Sequence, residues 1–252
     1  MSKKRKVSIP LLIFRAISII VIIVCLVVIF DWQKNNNENG KLQDDLQQVA
    51  STSKATEDNL DTRLTLSVDF GPLLEKNSET VGYLKINNSD IEFPVVQAKD
   101  NQYYLKHNFQ KASNGAGWIF ADFSNTFDDL SQNTIIYGHN RRNGTMFSDL
   151  KDLLDEKYSL EGDNSYFLFN TKTKKYRCTI FSVTMKNAAS LKIPISFTTD
   201  EEYLAYIDEV KKASYRPLNV DVPATSKIIT LCTCDNTNRN RVLVFAVLEE
   251  YN

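Results

Sequence analysis

The residues able to do chemistry in this 252-residue chain gather at two places. In the first, Thr230-Leu231-Cys232-Thr233-Cys234 closes an apolar run that starts at Lys227, and Arg241 opens the next run, Val242-Leu243-Val244-Phe245-Ala246-Val247-Leu248. A polar segment, residues 235–240, joins the two. If the runs pair as neighbouring strands, Cys234 and Arg241 sit at the same end of the sheet. A guanidinium beside a thiol favours the thiolate, which is the nucleophilic form. The same cation can stabilise the negative oxygen that develops when a thiolate attacks an amide. The second place is Thr134-Ile135-Ile136-Tyr137-Gly138-His139-Asn140, where a β-branched run breaks at Gly138 and leaves His139 at a strand end. An imidazole near the thiol supplies the proton transfers that acyl exchange needs. His139, Cys234 and Arg241 therefore read as a catalytic set for cysteine-based acyl transfer. The other histidine, His107, lies among aromatics in Tyr103-Tyr104-Leu105-Lys106-His107-Asn108-Phe109 and reads as structural.

These residues have to be held by a mostly β framework. Residues 83–86 and 91–96 flank a turn at Asn87-Asn88-Ser89-Asp90, and further strands are expected over 118–121, 134–137, 166–169 and 176–184. The last two of these are joined by Asn170-Thr171-Lys172-Thr173 as a hairpin. Many short strands between turn residues make a barrel or a sandwich. Three helical stretches interrupt them. Phe70, Leu73 and Leu74 begin an amphipathic helix that ends before Val81, and Met146, Phe147, Leu150, Leu153 and Leu154 recur at helical spacing. Thr199-Asp200-Glu201-Glu202 is a capping box, followed by the apolar stripe Tyr203, Leu204, Ile207, Val210, and Pro217 stops any continuation. This last helix lies in the long connection 184–227, and a connection of that length is commonly functional when it borders a site.

Residues 1–30 are a separate object. Lys3-Lys4-Arg5-Lys6 precede an apolar run from Ile9 to Phe30, and about 20 such residues span a bilayer's hydrocarbon core. The basic cluster keeps the N-terminus cytoplasmic and the remainder outside. Arg15 would snorkel toward the inner headgroups. A cleaved signal peptide is the rival, but the bulky Phe30-Asp31-Trp32 does not suit a signal-peptidase site. Residues 31–69 read as a polar juxtamembrane stalk, partly helical around Leu42, Leu46 and Val49, ahead of a catalytic domain at 70–252. Net charge is −1, and the five cations of the first thirty residues leave the rest at −6. An acidic ectodomain without a basic stripe argues against nucleic-acid binding. Cys25 falls in the apolar segment and Cys178 in a strand, while Cys232 and Cys234 have neither a second Cys pair nor clustered histidines to make a metal site. No metal or organic cofactor is required.

Thr-Leu-x-Thr-Cys before a strand opening with Arg, and Tyr137-Gly138-His139-Asn140 upstream, resemble the sortases, the transpeptidases that attach proteins to Gram-positive cell walls. The likeness extends to Thr80-Val81-Gly82-Tyr83-Leu84-Lys85-Ile86, Ile91-Glu92-Phe93-Pro94-Val95-Val96-Gln97, Asn101-Gln102-Tyr103-Tyr104-Leu105 and Gly144-Thr145-Met146-Phe147. It covers roughly residues 70–252 and is most similar to class B. The chain departs from the pattern at Cys232, where class B members often have Ser, and in the short Cys-to-Arg loop, which leaves Arg239 as a rival to Arg241. The resemblance implies a mainly β fold, an eight-stranded barrel with an N-terminal helix and a helix inserted before the last two strands. It implies a membrane-anchored, extracellular cysteine transpeptidase that cleaves a C-terminal sorting signal of secreted proteins and joins the thioacyl intermediate to an amine of a peptidoglycan precursor. His139 would move protons, Arg241 would hold the oxyanion, and Asn101, Leu105, Cys232, Thr233, Asp235 and Ile193 would contact the substrate. A cysteine hydrolase of the same geometry, a pilin-polymerising sortase and a non-enzymatic surface-binding module are the alternatives.

Overall fold

The computed structural model describes residues 9–54, 63–234 and 239–251. By its internal contacts the chain divides into two units, Met1–Lys41 and Leu42–Asn252. Helix α1 (Ile9–Gln47) carries an 18-residue window of mean hydropathy 3.2, and its apolar side chains from Ile9 to Phe30 are exposed. It is the one described helix long and apolar enough to cross a membrane.

In the second unit, β1 (Ala50–Lys54) and β2 (Leu64–Val68) form a separate antiparallel pair, and α2 (Gly71–Lys76) follows. Eight further strands close a barrel: β3 (Thr80–Ile86), β4 (Glu92–Val96), β5 (Phe120–Ala121), β6 (Asn133–Tyr137), β7 (Tyr166–Thr171), β8 (Lys175–Asn187), β9 (Ile228–Cys234) and β10 (Asn240–Tyr251). Their order around the barrel is β10-β8-β7-β3-β4-β5-β6-β9. All neighbours are antiparallel except β4–β5 and β6–β9. A closed sheet leaves no edge to aggregate. Helix α3 (Asp200–Lys212) sits in the connection between β8 and β9, as expected for the inserted helix. Thr199 caps it by accepting from the Glu202 N–H, and Glu202 reaches back to the N–H of Thr198.

Both faces of β9 and of β10 from Val242 to Ala246 are buried, which is why these stretches are mostly apolar runs rather than alternations. Ile229 and Leu231 of β9, with Val244 and Ala246 of β10, face the main core inside the barrel. The alternate residues Ile228, Cys232, Leu243 and Phe245 face outward and pack with Tyr203, Ile207 and Val210 of α3. The core residues carry burial worth about 1.5–3 kcal/mol for each large side chain.

Three expectations change. The segment 146–154 forms a 3₁₀ helix over Ser148–Leu154, and its buried residues Phe147, Leu150 and Leu153 recur every third position, the period of that helix. The strand expected over 118–121 is reduced to Phe120–Ala121 because the Trp118 N–H is diverted to the carbonyl of Tyr104. In the stretch read as a stalk, Leu42, Leu46 and Leu66 are buried in the main core. Gln43 and Gln47 donate from their side chains to the Glu92 carbonyl. Few apolar residues sufficed there because Leu42 and Leu46 are one helical turn apart and point the same way.

Candidate active site

The parallel ladder between β6 and β9 runs to Tyr137 opposite Cys232. Beyond it the chains stay strapped together: the Gly138 N–H donates to the Cys232 carbonyl (3.1 Å), and the Thr233 hydroxyl donates to the Gly138 carbonyl (2.8 Å). A Cβ at Gly138 would lie 2.6 Å from both Ile119 and the Phe147 ring, so only glycine fits this close approach. His139 is the next residue. On the other side of β9, the antiparallel ladder with β10 makes Arg241 the direct Cα partner of Cys234, and Lys186 of β8 is the partner of Arg241 in turn. The backbone thus sets Cys234 and Arg241 side by side at the same end of the barrel as His139. Of Cys234 the backbone alone is described, and Asp235 lies outside the described residues.

His139 and Arg241 line one cavity of about 380 Å³, together with Asn101, Leu105, Cys232 and Thr233. His139 Nε2 lies 2.9 Å from the Leu105 carbonyl. A carbonyl only accepts, so Nε2 carries the hydrogen, and Nδ1 is the nitrogen left to exchange a proton. Gly117, at φ +64°, makes this contact possible: a Cβ there would be 2.6 Å from the Tyr104 carbonyl, 2.9 Å from His139 Cδ2 and 3.0 Å from the Leu105 carbonyl. Arg241 Nη1 donates to its neighbour's carbonyl, Asn240 O, at 3.2 Å. Arg239 is exposed and outside the cavity, and its carbonyl accepts the Ala188 N–H. His107 is elsewhere, stacked on Tyr103 at 4.0 Å with Nδ1 against the Tyr103 carbonyl.

Of the residues expected to contact substrate, the structure brings four to the cavity and gives two of them other ties. Asn101 donates to Asp122 and accepts from the Phe123 N–H. The Thr233 hydroxyl is spent on Gly138, so this side chain braces the two strand ends. Ile193 is not brought there. It lines a second cavity, of about 220 Å³, with Leu191, Tyr206, Leu243 and Phe245 beside α3. Three cavity residues were not among the expected site residues: Phe120, and Tyr137 and Gly138 of the motif that carries His139. Tyr137 precedes His139 by two residues, and strand period alone could have flagged it. Burial, then the nearby Asp122 carboxylate, pushes its phenol well up, so it stays a neutral donor. Among the described residues no group of three His, Cys, Asp or Glu could hold a metal. The thiols of Cys178 and Cys232 are buried, and burial pushes that of Cys178 well up, away from reactivity.

A sortase domain model matches residues 84–249. The chain is similar to sortase B of Listeria monocytogenes, 35% identical over 202 residues, covering 79% of this chain and 79% of that protein. It is also similar to sortase B of Staphylococcus aureus, 33% identical over 180 residues, covering 70% and 73%. Among solved structures, a Bacillus anthracis protein similar to sortase B superposes with TM-score 0.74 at 29% identity, covering 88% of this chain and 99% of the other. The S. aureus sortase B–substrate complex gives TM-score 0.68 at 31% identity, covering 73% and 85%. The match runs through most of the barrel, from β3 to β10, and its relatives are class B enzymes: this chain belongs to the sortase family of cysteine transpeptidases.

Proposed function

We propose that the chain is a membrane-anchored sortase whose nucleophile is Cys234, acting with His139 and Arg241 on C-terminal sorting signals of secreted proteins. The observation that carries this reading is the register of β6, β9 and β10. Cys234 and Arg241 are Cα partners, and His139 follows the Gly138 strap that binds β6 to β9. The Cys234 thiolate attacks a backbone carbonyl carbon of the sorting signal, and the oxyanion forms against Arg241. The imidazolium of His139 gives its Nδ1 proton to the departing amine as the C–N bond breaks, leaving a thioester and a neutral imidazole. An amine of a peptidoglycan precursor then attacks the thioester. It passes a proton to Nδ1 and releases the thiolate, so the enzyme returns to its starting state. Asn101, Leu105, Cys232, Thr233 and Asp235 border the bound peptide in this reading.

The exposed apolar length of α1 supports anchoring. With the basic residues of 3–6, it favours a cytoplasmic N-terminus and an extracellular catalytic domain. Residues 1–30 then serve as tail and anchor, and 31–69 as the juxtamembrane segment leading into the sortase domain, whose core takes in Leu42, Leu46 and Leu66 of that segment. The test incubates the full chain in detergent micelles with synthetic sorting peptides, with and without an added amine nucleophile, and separates the products. Transpeptidation predicts an amide product that replaces free acid as amine is added. Free acid alone at every amine concentration would instead make the enzyme a hydrolase.

A further inference from the structure

Asp122 directly follows β5 and is buried, 7% exposed, behind the wall of the cavity rather than in its lining. Its Oδ2 accepts from Asn101 Nδ2 at 2.7 Å and from the Tyr137 hydroxyl at 3.0 Å, and its Oδ1 accepts from the Ser124 N–H at 2.9 Å. Asn101 and Tyr137 both line the cavity, come from distant parts of the sequence and meet on this one oxygen. The residue type matters. An ionised carboxylate only accepts, so it serves three donors at once, whereas an amide turned either way would set its NH₂ against one of them.

We propose that Asp122 is a positioning residue that sets the peptide specificity of the cavity. With one Nδ2 hydrogen on Asp122 and Oδ1 taken by the Phe123 N–H, Asn101 has its second Nδ2 hydrogen left for a ligand. Asp122 therefore holds Asn101 as an N–H donor, suited to a carbonyl oxygen of the bound peptide. It also holds the Tyr137 ring, tilted against Phe120 at 5.3 Å, as the apolar wall beside that donor. The ligand chemistry selected is an extended peptide that offers an amide or carbonyl acceptor next to an apolar group.

This inference rests on the cavity being the sorting-peptide site. Its test uses the full chain in detergent micelles and, as probe, the peptide from an amidated octapeptide pool that acylates the unmodified enzyme most. Asp122→Asn should raise KM for that probe about tenfold, the size expected for one buried hydrogen bond lost, and change kcat little. Alkylation of Cys234 by iodoacetamide, which needs no peptide groove, should stay within about twofold. Adding Asp122→Asn to Asn101→Ala should cost little more than Asn101→Ala alone, because one acts through the other. An unchanged KM, an equal fall in alkylation, or full additivity would each overturn the proposal. If Asp122→Asn does not fold, Asn101→Ala and Tyr137→Phe replace it. Their effects should then be non-additive through the shared oxygen, and additivity would overturn the proposal just as well. If no peptide in the pool acylates the unmodified enzyme while iodoacetamide still labels Cys234, the peptide-site reading falls, and this inference with it. That result differs from an acylated enzyme that is indifferent to Asp122.

Discussion

The two histidines bond to carbonyls of the same short turn, Tyr103–Leu105, yet only His139 lines the cavity that holds Arg241. His107 uses Nδ1 on the Tyr103 carbonyl and stacks on that residue's ring, a contact within its own loop. His139 arrives from β6 and uses Nε2 on the Leu105 carbonyl, so its Nδ1 remains at a cavity it shares with Arg241. The lesson is that residue type and hydrogen-bond type do not distinguish a catalytic imidazole from a structural one. The strand that delivers it, and the nitrogen its partner consumes, do.

The sharpest way to break this comparison is to remove each ring. His139→Ala should lower kcat/KM by about 10³-fold or more, as expected for loss of the general acid and base, while His107→Ala should stay within a few-fold. Equal losses would erase the distinction. The two arginines come next. Arg241→Ala should slow acylation about 10²- to 10³-fold, the usual consequence of losing one oxyanion donor, and Arg239→Ala only a few-fold. Lys at 241 should rescue poorly, since it keeps charge but not the planar fork. Comparable losses at 239 and 241 in stopped-flow acylation would mean the role is shared.

A smaller effect is expected at Gly117. Gly117→Ala pushes a methyl into the Leu105 carbonyl and the His139 ring, so kcat should fall about tenfold. The ¹⁵N spectrum of the imidazole should show a mixture of tautomers in place of the Nε2–H form. Gly82→Ala is the control, because it is equally crowded, with a Cβ 2.6 Å from Phe169. It should lower thermal stability and leave the His139 signals unmoved. An unaltered tautomer in Gly117→Ala would refute the positioning argument. The smallest effect is expected at Cys232→Ser, which exchanges a buried thiol between β9 and α3 for a hydroxyl and should keep most activity in the same assay.

The catalytic candidates were legible because scarce residue types sat at strand ends: two histidines in the chain, one thiol closing an apolar run, one arginine opening the next. The family followed from the same motifs. Barrel closure was not legible from pattern alone, because it depends on two parallel pairings, β4 with β5 and β6 with β9, between segments far apart in sequence. Asp122 and Tyr137 were missed for a similar reason, since their meaning lies in a hydrogen bond between separate strands. Ile193 was drawn toward the substrate by its place in a long connection, but an apolar side chain carries no sign of which cavity it lines. Residues Leu42, Leu46 and Leu66 were set aside as stalk because composition averages over a segment, and burial needs only a few side chains in register.

The central claim, that Cys234 is the nucleophile, is tested most directly by trapping the acyl enzyme. The full chain in detergent micelles would be quenched in acid after mixing with a sorting peptide, digested and mapped by mass spectrometry. The account predicts a thioester of the peptide's N-terminal fragment on Cys234, with Cys25, Cys178 and Cys232 unmodified, and no adduct in Cys234→Ala. An adduct on Cys232, or one that persists in Cys234→Ala, would contradict it.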